Sequence, residues 1–311
     1  MGLNKKKICL IGAGKTMTKH LEVLKKFKHF KIVGIFNRSK NNAIKLKKKF
    51  KIKKVFNSIE SMFNETKAEY LIVVVSSDAN FKIMKSCIRF PWKILTEKPL
   101  GLTFSESNKL IKLINKNKSK VHIALNRRHY ASTKFMLREL NKNQGEKRFL
   151  EIFDQQAPTT TQFSKKEIKN WQYANSIHLI DYINLICRGK IIKLSKEVIK
   201  IQKKQKIISC EIKFSSGDIC YYKSFWYLPG PWSVKVTTNT KVLESKPLEK
   251  VTLRNLIGKP SKKFINYKND LEYKPGFFKQ MEGLLNEKFR KKLVNQNDYK
   301  RLIDLTNKIY R

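Results

Sequence analysis

The sequence predicts an α/β protein, with a parallel sheet in its N-terminal part and an α+β domain carrying a mostly antiparallel sheet behind it. Three observations lead there. Up to about residue 125, short apolar runs alternate with helix-period segments, the pattern of parallel strands joined by right-handed crossovers. Within that stretch Val73-Val74-Val75 is apolar throughout, as in a strand covered on both faces. Farther on, strand-like runs follow one another with turn signals between them.

The strands of the first part are expected at Ile8–Ile11, Ile32–Phe36, Tyr70–Val75, Trp92–Leu95 and Val121–Leu125, with a shorter candidate at Val55-Phe56. Helical patterns fall around Lys15–Phe27, Asn41–Phe50, Ala79–Phe90 and Thr103–Asn117. Thr103-x-x-Glu106 is a capping box that opens the last of these. In the second part Phe149–Phe153 reads as a strand and Trp171–Cys187 as an apolar helix. Strands are expected near Ile191–Gln202, Ile207–Phe214, Ile219–Trp226 and Trp232–Thr238. Ser215-Ser216-Gly217-Asp218 and Pro229-Gly230-Pro231 mark turns between consecutive strands, so the reading is a meander with a helix on one face. Pro275–Phe289 and Asp298–Tyr310 close the chain as helices, with Asn297 as N-cap of the second. The expected division is 1–125 and 126–311, the final helix being free to pack back on the first domain.

A chain of 311 residues with 41% hydrophobic content buries a sizeable core and suits two domains. It has no apolar run of about eighteen residues, so no transmembrane helix is expected. The opening Met1–Lys7 with its following apolar run imitates a signal peptide, but Lys15 breaks the run and no small-residue cleavage site follows. Lys6 stands where a myristoylated Gly2 needs Ser or Thr. Five scattered cysteines form neither a disulfide framework nor a metal spacing, which points to a reduced, cytoplasmic protein. The net charge of +44 has two readings: an anionic partner surface, or A/T-rich codon usage. Lys, Asn and Ile are abundant and Arg comparatively scarce, and the lysines form no aromatic-interleaved module. Codon usage is therefore the reading adopted, with no specific nucleic-acid partner and no membrane insertion. A field of this sign still attracts anionic small molecules.

The candidate sites lie at strand ends. Ile8–Ile11 runs into Gly12-Ala13-Gly14, followed by Lys15, Thr16 and a helix. Gly12 permits a tight turn, and Gly14 lets backbone N–H groups approach a pyrophosphate at the helix N-terminus. Met17 stands in place of the third glycine of that fingerprint. After the second strand come Asn37, Arg38 and Ser39, where NAD-binding sheets carry a carboxylate for the ribose 2′-OH. With no carboxylate, and with Lys40 and Lys45 nearby, the turn suits a 2′-phosphate, so NADP(H) is favoured over NAD(H). Ser76 and Ser77 end the Tyr70–Val75 strand, where Ser77 or Asp78 serves equally as a helix N-cap. Thr96-Glu97-Lys98-Pro99-Leu100 ends the next; its lysine points into the crevice where such sheets bind ligands, and its proline admits a cis bond. Asn126-Arg127-Arg128-His129 follows the last, either at the same crevice or as a basic linker. On the apolar helix, His178 and Asp181 share a face; they satisfy each other as a core pair or look into a cavity.

Taken in order, the Gly12-x-Gly14 turn, His20 in the following helix, Glu97-Lys98-Pro99, Asn126-Arg127-Arg128 and His178-x-x-Asp181 resemble the glucose–fructose oxidoreductase / inositol dehydrogenase / rhizopine catabolism family (Gfo/Idh/MocA) over nearly the whole chain. The resemblance implies a Rossmann doubly wound parallel sheet, then a C-terminal α+β domain whose open, mostly antiparallel sheet often mediates oligomerisation. It implies a homo-oligomer and NAD(P)-dependent oxidation or reduction of a hydroxyl or carbonyl on a sugar or cyclic polyol. Lys98 and His178 would be the acid–base pair. Gly12, Ala13, Gly14, Lys15, Thr16, Asn37, Arg38, Ser39, Ser76, Ser77, Glu97, Lys98 and Asn126 would hold the cofactor, and Lys98, Arg127, Asn175 and His178 the substrate. No metal is implied. The chain departs from the family pattern at Ala174, where many members carry a substrate-holding aspartate, and at Ser176, commonly glycine. Asn175 is the candidate replacement. The wording Asn175–His178 looks like that of members associated with surface-polysaccharide sugar synthesis, which points to a nucleotide- or phosphate-linked sugar. Two other classes compete: an NAD(P)-binding regulatory or assembly protein without turnover, and a nucleic-acid binder working through its basic surface.

Overall fold

The computed structural model describes residues 5–257, 259–262 and 264–311. The readings of Met1–Asn4, Gly2 included, lie outside the described residues. The chain opens with β1 (Lys6–Ile11), α1 (Lys15–Leu24), β2 (Phe30–Phe36), α2 (Lys40–Phe50), β3 (Lys54–Phe56), α3 (Ile59–Thr66), β4 (Tyr70–Val73), α4 (Ser77–Cys87), β5 (Lys93–Glu97), α5 (Phe104–Lys116) and β6 (Lys120–Ala124). A 3₁₀ turn at Asn126–His129 leads into α6 (Ala131–Leu140), β7 (Phe149–Gln156) and α7 (Lys165–Lys169). A π-helical turn at Gln172–Ser176 then opens α8 (Ile177–Ile186). There follow β8 (Ile191–Lys200), β9 (Lys206–Phe214), β10 (Ile219–Trp226), β11 (Trp232–Thr237), β12 (Lys241–Ser245), β13 (Thr252–Asn255) and β14 (Pro260–Lys262). The chain ends with α9 (Lys268–Glu272), α10 (Phe277–Leu285), α11 (Glu287–Arg290), β15 (Val294–Asn295) and α12 (Gln296–Tyr310).

Two compact units result: residues 1–125 with Phe277–Arg301, and Asn126–Gly276 with Leu302–Arg311. The first holds a sheet of order β15-β6-β5-β4-β1-β2-β3. β1 to β6 run parallel, and β15 joins the edge antiparallel to β6. The order reverses between β1 and β4, the point where doubly wound sheets open a crevice at their C-terminal edge. β4 is buried at every residue, because helices cover both faces. The Thr103–Glu106 capping box is present. Met17 faces inward from α1 with no exposed surface.

The second unit carries a sheet of order β14-β13-β12-β11-β7-β10-β9-β8. It is mostly antiparallel, as expected, but it is not a meander. β7 lies between β11 and β10 and pairs with β10 in parallel, so Pro229–Pro231 bridges strands that are not neighbours. Two signals expected at helix starts are also displaced. α4 begins at Ser77 with Ser76 as N-cap, not Ser77 or Asp78. In α12 Asn297 is already inside the helix; the Asn295 side chain accepts from the N–H groups of Asn297 and Asp298 at 2.8 and 3.0 Å. The expected helix Pro275–Phe289 is two helices, because the Asn286 side chain caps α11 and stops α10. α3, α6 and β12 to β14 had no counterpart in the sequence reading. No helix among the described residues is long and apolar enough to cross a membrane, and no cluster of His, Cys, Asp and Glu there could hold a metal ion.

Candidate functional site

In the first unit the expected cofactor residues gather at one sheet edge. The register puts Phe36, Ile11 and Val73 side by side, with Thr96 beside Val73. Gly12, Asn37, Ser76 and Glu97 therefore leave neighbouring strands at one end. Gly12 has φ +104°, and a Cβ there would meet the Val74 carbonyl oxygen at 1.8 Å, so only glycine fits the turn. Gly12 N–H bonds Phe36 O at 2.9 Å and Val74 N–H bonds Ile11 O at 2.8 Å, which ties β1, β2 and β4 together at this edge. Gly14 is different: it is exposed, and an added Cβ would meet nothing within 4 Å. Gly14 is also the N-cap of α1, and no side chain caps that helix. The turn of Ala13, Gly14, Lys15 and Thr16 thus offers uncapped backbone N–H groups beside open space, which fits a dinucleotide pyrophosphate.

Asn37 donates from its amide to Ser39 O at 2.8 Å, which closes the turn after β2. Arg38, Ser39 and Lys40 are exposed. Ser76 is exposed and Ser77 half-buried at the start of α4.

Lys98 is half-buried, and its bond to Pro99 is cis. The turn around it is clamped by a residue the sequence reading missed. Asn80, buried on α4, donates to Glu97 O at 3.0 Å and to Pro99 O at 2.7 Å, one carbonyl on each side of Lys98. Thr96 Oγ1 in turn donates to Asn80 Oδ1 at 3.2 Å, which fixes the amide's orientation. The Tyr299 hydroxyl accepts from Leu100 N–H at 3.1 Å. Glu97 Oε1 meets His20 Nε2 at 3.1 Å, and His20 stacks on Phe277 at 4.4 Å. Asn80 is one of several polar residues on α4, and nothing in the local sequence sets it apart until the fold brings α4 to the end of β5.

In the second unit Asn126 is buried and donates to Pro275 O at 3.1 Å. Arg127 stacks over Trp232 at 4.2 Å and helps line a cavity of about 390 Å³. Arg128 and Asp181 form a two-pronged ion pair at 2.7 and 2.5 Å. This alters the expectation for His178 and Asp181, because the carboxylate is taken by arginine. His178 lies buried one residue into α8, just after the π-helical turn.

That turn is held by a buried network the sequence reading did not contain. Asp154 on β7 has no exposed surface. It accepts from Tyr222 Oη at 2.6 Å and from the Gln156 amide. Gln156 Oε1 accepts from Trp171 Nε1 and from Asn175 Nδ2, the latter at 3.0 Å. Tyr310 Oη contacts Tyr222 Oη at 2.8 Å and Ser224 Oγ at 2.9 Å, and donates to Ser176 Oγ at 3.1 Å. Burial pushes the Asp154 carboxyl up to about 6, although bonds from Tyr222, Gln156 and Ser176 and the charge of Arg127 act the other way. Ala174 is buried, and the amide of Asn175 is engaged with Gln156.

Residues 6–125 match the oxidoreductase family with an NAD-binding Rossmann fold known as Gfo/Idh/MocA. The match spans β1 to β6 of the first unit and stops before the second. No curated protein matches the sequence. Among solved structures, a dehydrogenase from Chromobacterium violaceum superposes with a TM-score of 0.80 at 15% identity, over 99% of this chain and 95% of that one. UDP-N-acetylglucosamine 3-dehydrogenase from Acidithiobacillus ferrooxidans gives 0.76 at 13%, over 97% and 96%. The WlbA dehydrogenase from Chromobacterium violaceum, in complex with NADH and UDP-GlcNAcA, gives 0.76 at 12%, over 99% and 93%. At these identities the likeness is one of fold.

Proposed function

We propose that this protein is an NAD(P)-dependent oxidoreductase that acts on a hydroxyl or carbonyl of a nucleotide- or phosphate-linked sugar, with NADP(H) favoured. The first unit is the dinucleotide-binding domain, and the second binds substrate and forms the interface of a homo-oligomer. The observation that carries the reading is the clamp at Lys98. A buried asparagine bonds the carbonyls of Glu97 and Pro99, the residues on either side of one lysine, at the ligand-binding edge of a sheet in an NAD-binding fold. The held turn fixes where the lysine side chain leaves the backbone, which supports a positioned proton donor at that edge.

The cofactor, when bound, supplies or takes up the hydride. The chain's own task is the proton on the substrate oxygen, and Lys98 and His178 are the groups proposed to hold and move it. Uncapped N–H groups at α1 and the open flank of Gly14 support a pyrophosphate there. Arg38, exposed beside Asn37 and Ser39 with no carboxylate in that turn, supports a 2′-phosphate. Arg127 and Asn175 are the proposed substrate contacts. Phe149, Tyr221 and Ile199 are exposed on one face of the second sheet, which supports burial of that face between copies.

The test is Lys98→Met, assayed with NADPH and NADP⁺ against a panel of UDP-sugars. We expect kcat to fall by about a hundred-fold or more, with NADPH affinity within about twofold of wild type. His178→Asn should slow turnover as well. Full turnover in both variants would remove them from the chemistry. A second reading, an NAD(P)-binding regulatory or assembly protein without turnover, is favoured by Ala174 and by the engagement of Asn175 with Gln156. Tight NADPH binding with no turnover on any UDP-sugar would select it.

A further inference from the structure

The second unit holds a cavity of about 850 Å³ that the reading above does not use. The β7–α7 loop, the β8–β9 turn, the end of β10 and the ring of Tyr310 form its walls. Lys169, Lys200, Lys203, Lys204 and Lys206 line it, and no Asp or Glu does. Lysine lines other hollows of this chain too, such as one of about 570 Å³ beside Lys25 and Lys28. There the aromatic side chains are phenylalanines, which offer no hydrogen bond. Here they are Trp226, Tyr227 and Tyr310. Lys206 Nζ sits 5.2 Å over the Trp226 ring. Trp226 is only 8% exposed, yet its Nε1 has no hydrogen-bond partner among the described residues. A buried donor without a partner is uncommon and costly, and it calls for an explanation.

The frame of the cavity is fixed by its own bonds. Tyr227 Oη donates to Pro158 O at 3.1 Å, and Gln205 Nε2 donates to Tyr227 O at 3.2 Å. Tyr227 N–H reaches Gln156 O at 2.7 Å, although Tyr227 has φ +54°, a backbone conformation that disfavours a bulky side chain. Ile201 N–H closes the β8–β9 turn on Gln205 O at 3.0 Å.

We propose that this cavity binds a nucleoside diphosphate moiety. Lysine ammonium groups neutralise the pyrophosphate, and the half-buried Tyr227 ring offers a flat face for a base. The inference rests on the redox reading above and deepens it, since it makes the substrate a sugar carried on a nucleotide. Two residues tie the cavity to the turn before His178. Gln172, the first residue of the π-helical turn, lines it. Tyr310 lines it as well and bonds Ser176 at 3.1 Å.

The experiment is calorimetry on the full chain, first with NADPH alone, then with UDP, uridine and inorganic pyrophosphate in separate titrations under saturating NADPH. UDP should bind at least tenfold tighter than uridine or pyrophosphate. Lys203→Glu/Lys204→Glu changes two exposed side chains of the turn and leaves the core untouched. It should weaken UDP at least tenfold and leave NADPH within twofold. Pyrophosphate binding as tight as UDP would reduce the cavity to an anion site and overturn the nucleotide assignment. Unchanged UDP affinity in the double variant would overturn the location. If NADPH fails to bind while UDP binds and responds to the double variant in its absence, the cavity stands and the redox reading falls.

Discussion

The two units hold their proposed site residues by different means. In the first, what is held is the backbone of the turns: Gly12 packs its Cα against Val74 O, and the Asn80 side chain bonds the carbonyls of Glu97 and Pro99 on either side of Lys98. In the second, buried side chains hold one another across the sequence. Asp154 meets Tyr222, Ser176 meets Tyr310, and Arg128 meets Asp181. Asp218 is a further case. Burial alone would raise its carboxyl, but bonds from the Arg188 side chain and from Arg188 and Arg148 N–H hold it below the usual range. A parallel sheet presents its strand ends to ligand, so turn chemistry is enough to build a site there. A sheet with a helix on its face must bury any polar group beside that helix, and each buried group then needs a partner.

The largest break in this comparison is expected at the ion pair. Arg128→Met keeps the bulk of the side chain and leaves Asp181, whose side chain is 3% exposed, as an unpaired buried carboxylate. Removing one partner of a buried pair costs roughly 3–5 kcal/mol. Urea unfolding at pH 7 should register a loss of that size, and Arg128→Met/Asp181→Leu should recover most of it. A single variant as stable as wild type would mean that the pair does not anchor α8.

The same contrast explains what the sequence disclosed. The strand-end positions of Gly12, Gly14 and Lys98 were legible because a strand end followed by a fixed turn is a local pattern, readable within a few residues. The parallel sheet was legible for the same reason. Asn80 was not, since its partners sit on another strand. Asp154, Gln156 and Tyr222 were not, because alternation along a strand says which face is buried and nothing about which polar groups meet there. The insertion of β7 between β10 and β11 is likewise non-local: Phe149 pairs with Ile219, a match no turn signal encodes. Asp181 was read with His178 because they are neighbours on one helix, and Arg128 lay outside that local view.

The second effect is a pH dependence carried by Asp154. Its folded pKa, about 6, is raised from an ordinary 3.8 by burial. The folded state therefore binds the proton more tightly than the unfolded chain. The stability gained from that proton is complete below about pH 4 and is lost as pH rises through 6. Over this window the loss amounts to roughly 2–3 kcal/mol. Other carboxylates, Asp218 among them, act in the opposite sense, so the comparison is wild type against Asp154→Asn at each pH. The wild-type advantage should shrink between pH 4 and 7 and stay level above 7. A difference between the two proteins that does not change with pH would show that Asp154 is ionised throughout.

The smallest effect on the fold, and the sharpest on the site, is expected at Gly14. Its φ of −86° is open to any residue, and the space beside its Cα is empty of protein. Gly14→Val should therefore unfold within about 0.5 kcal/mol of wild type, as surface substitutions usually do. The valine methyl groups would nevertheless occupy the flank from which a pyrophosphate approaches the N–H groups of α1. NADPH binding, measured by calorimetry, should be lost. The two readouts separate the possible outcomes. Lost binding in a stable protein means that backbone approach at Gly14 is needed for the cofactor. Retained affinity in a stable protein would take Gly14 out of the site and leave Gly12 as a purely structural glycine. The first unit would then be held by backbone for the sake of its fold alone.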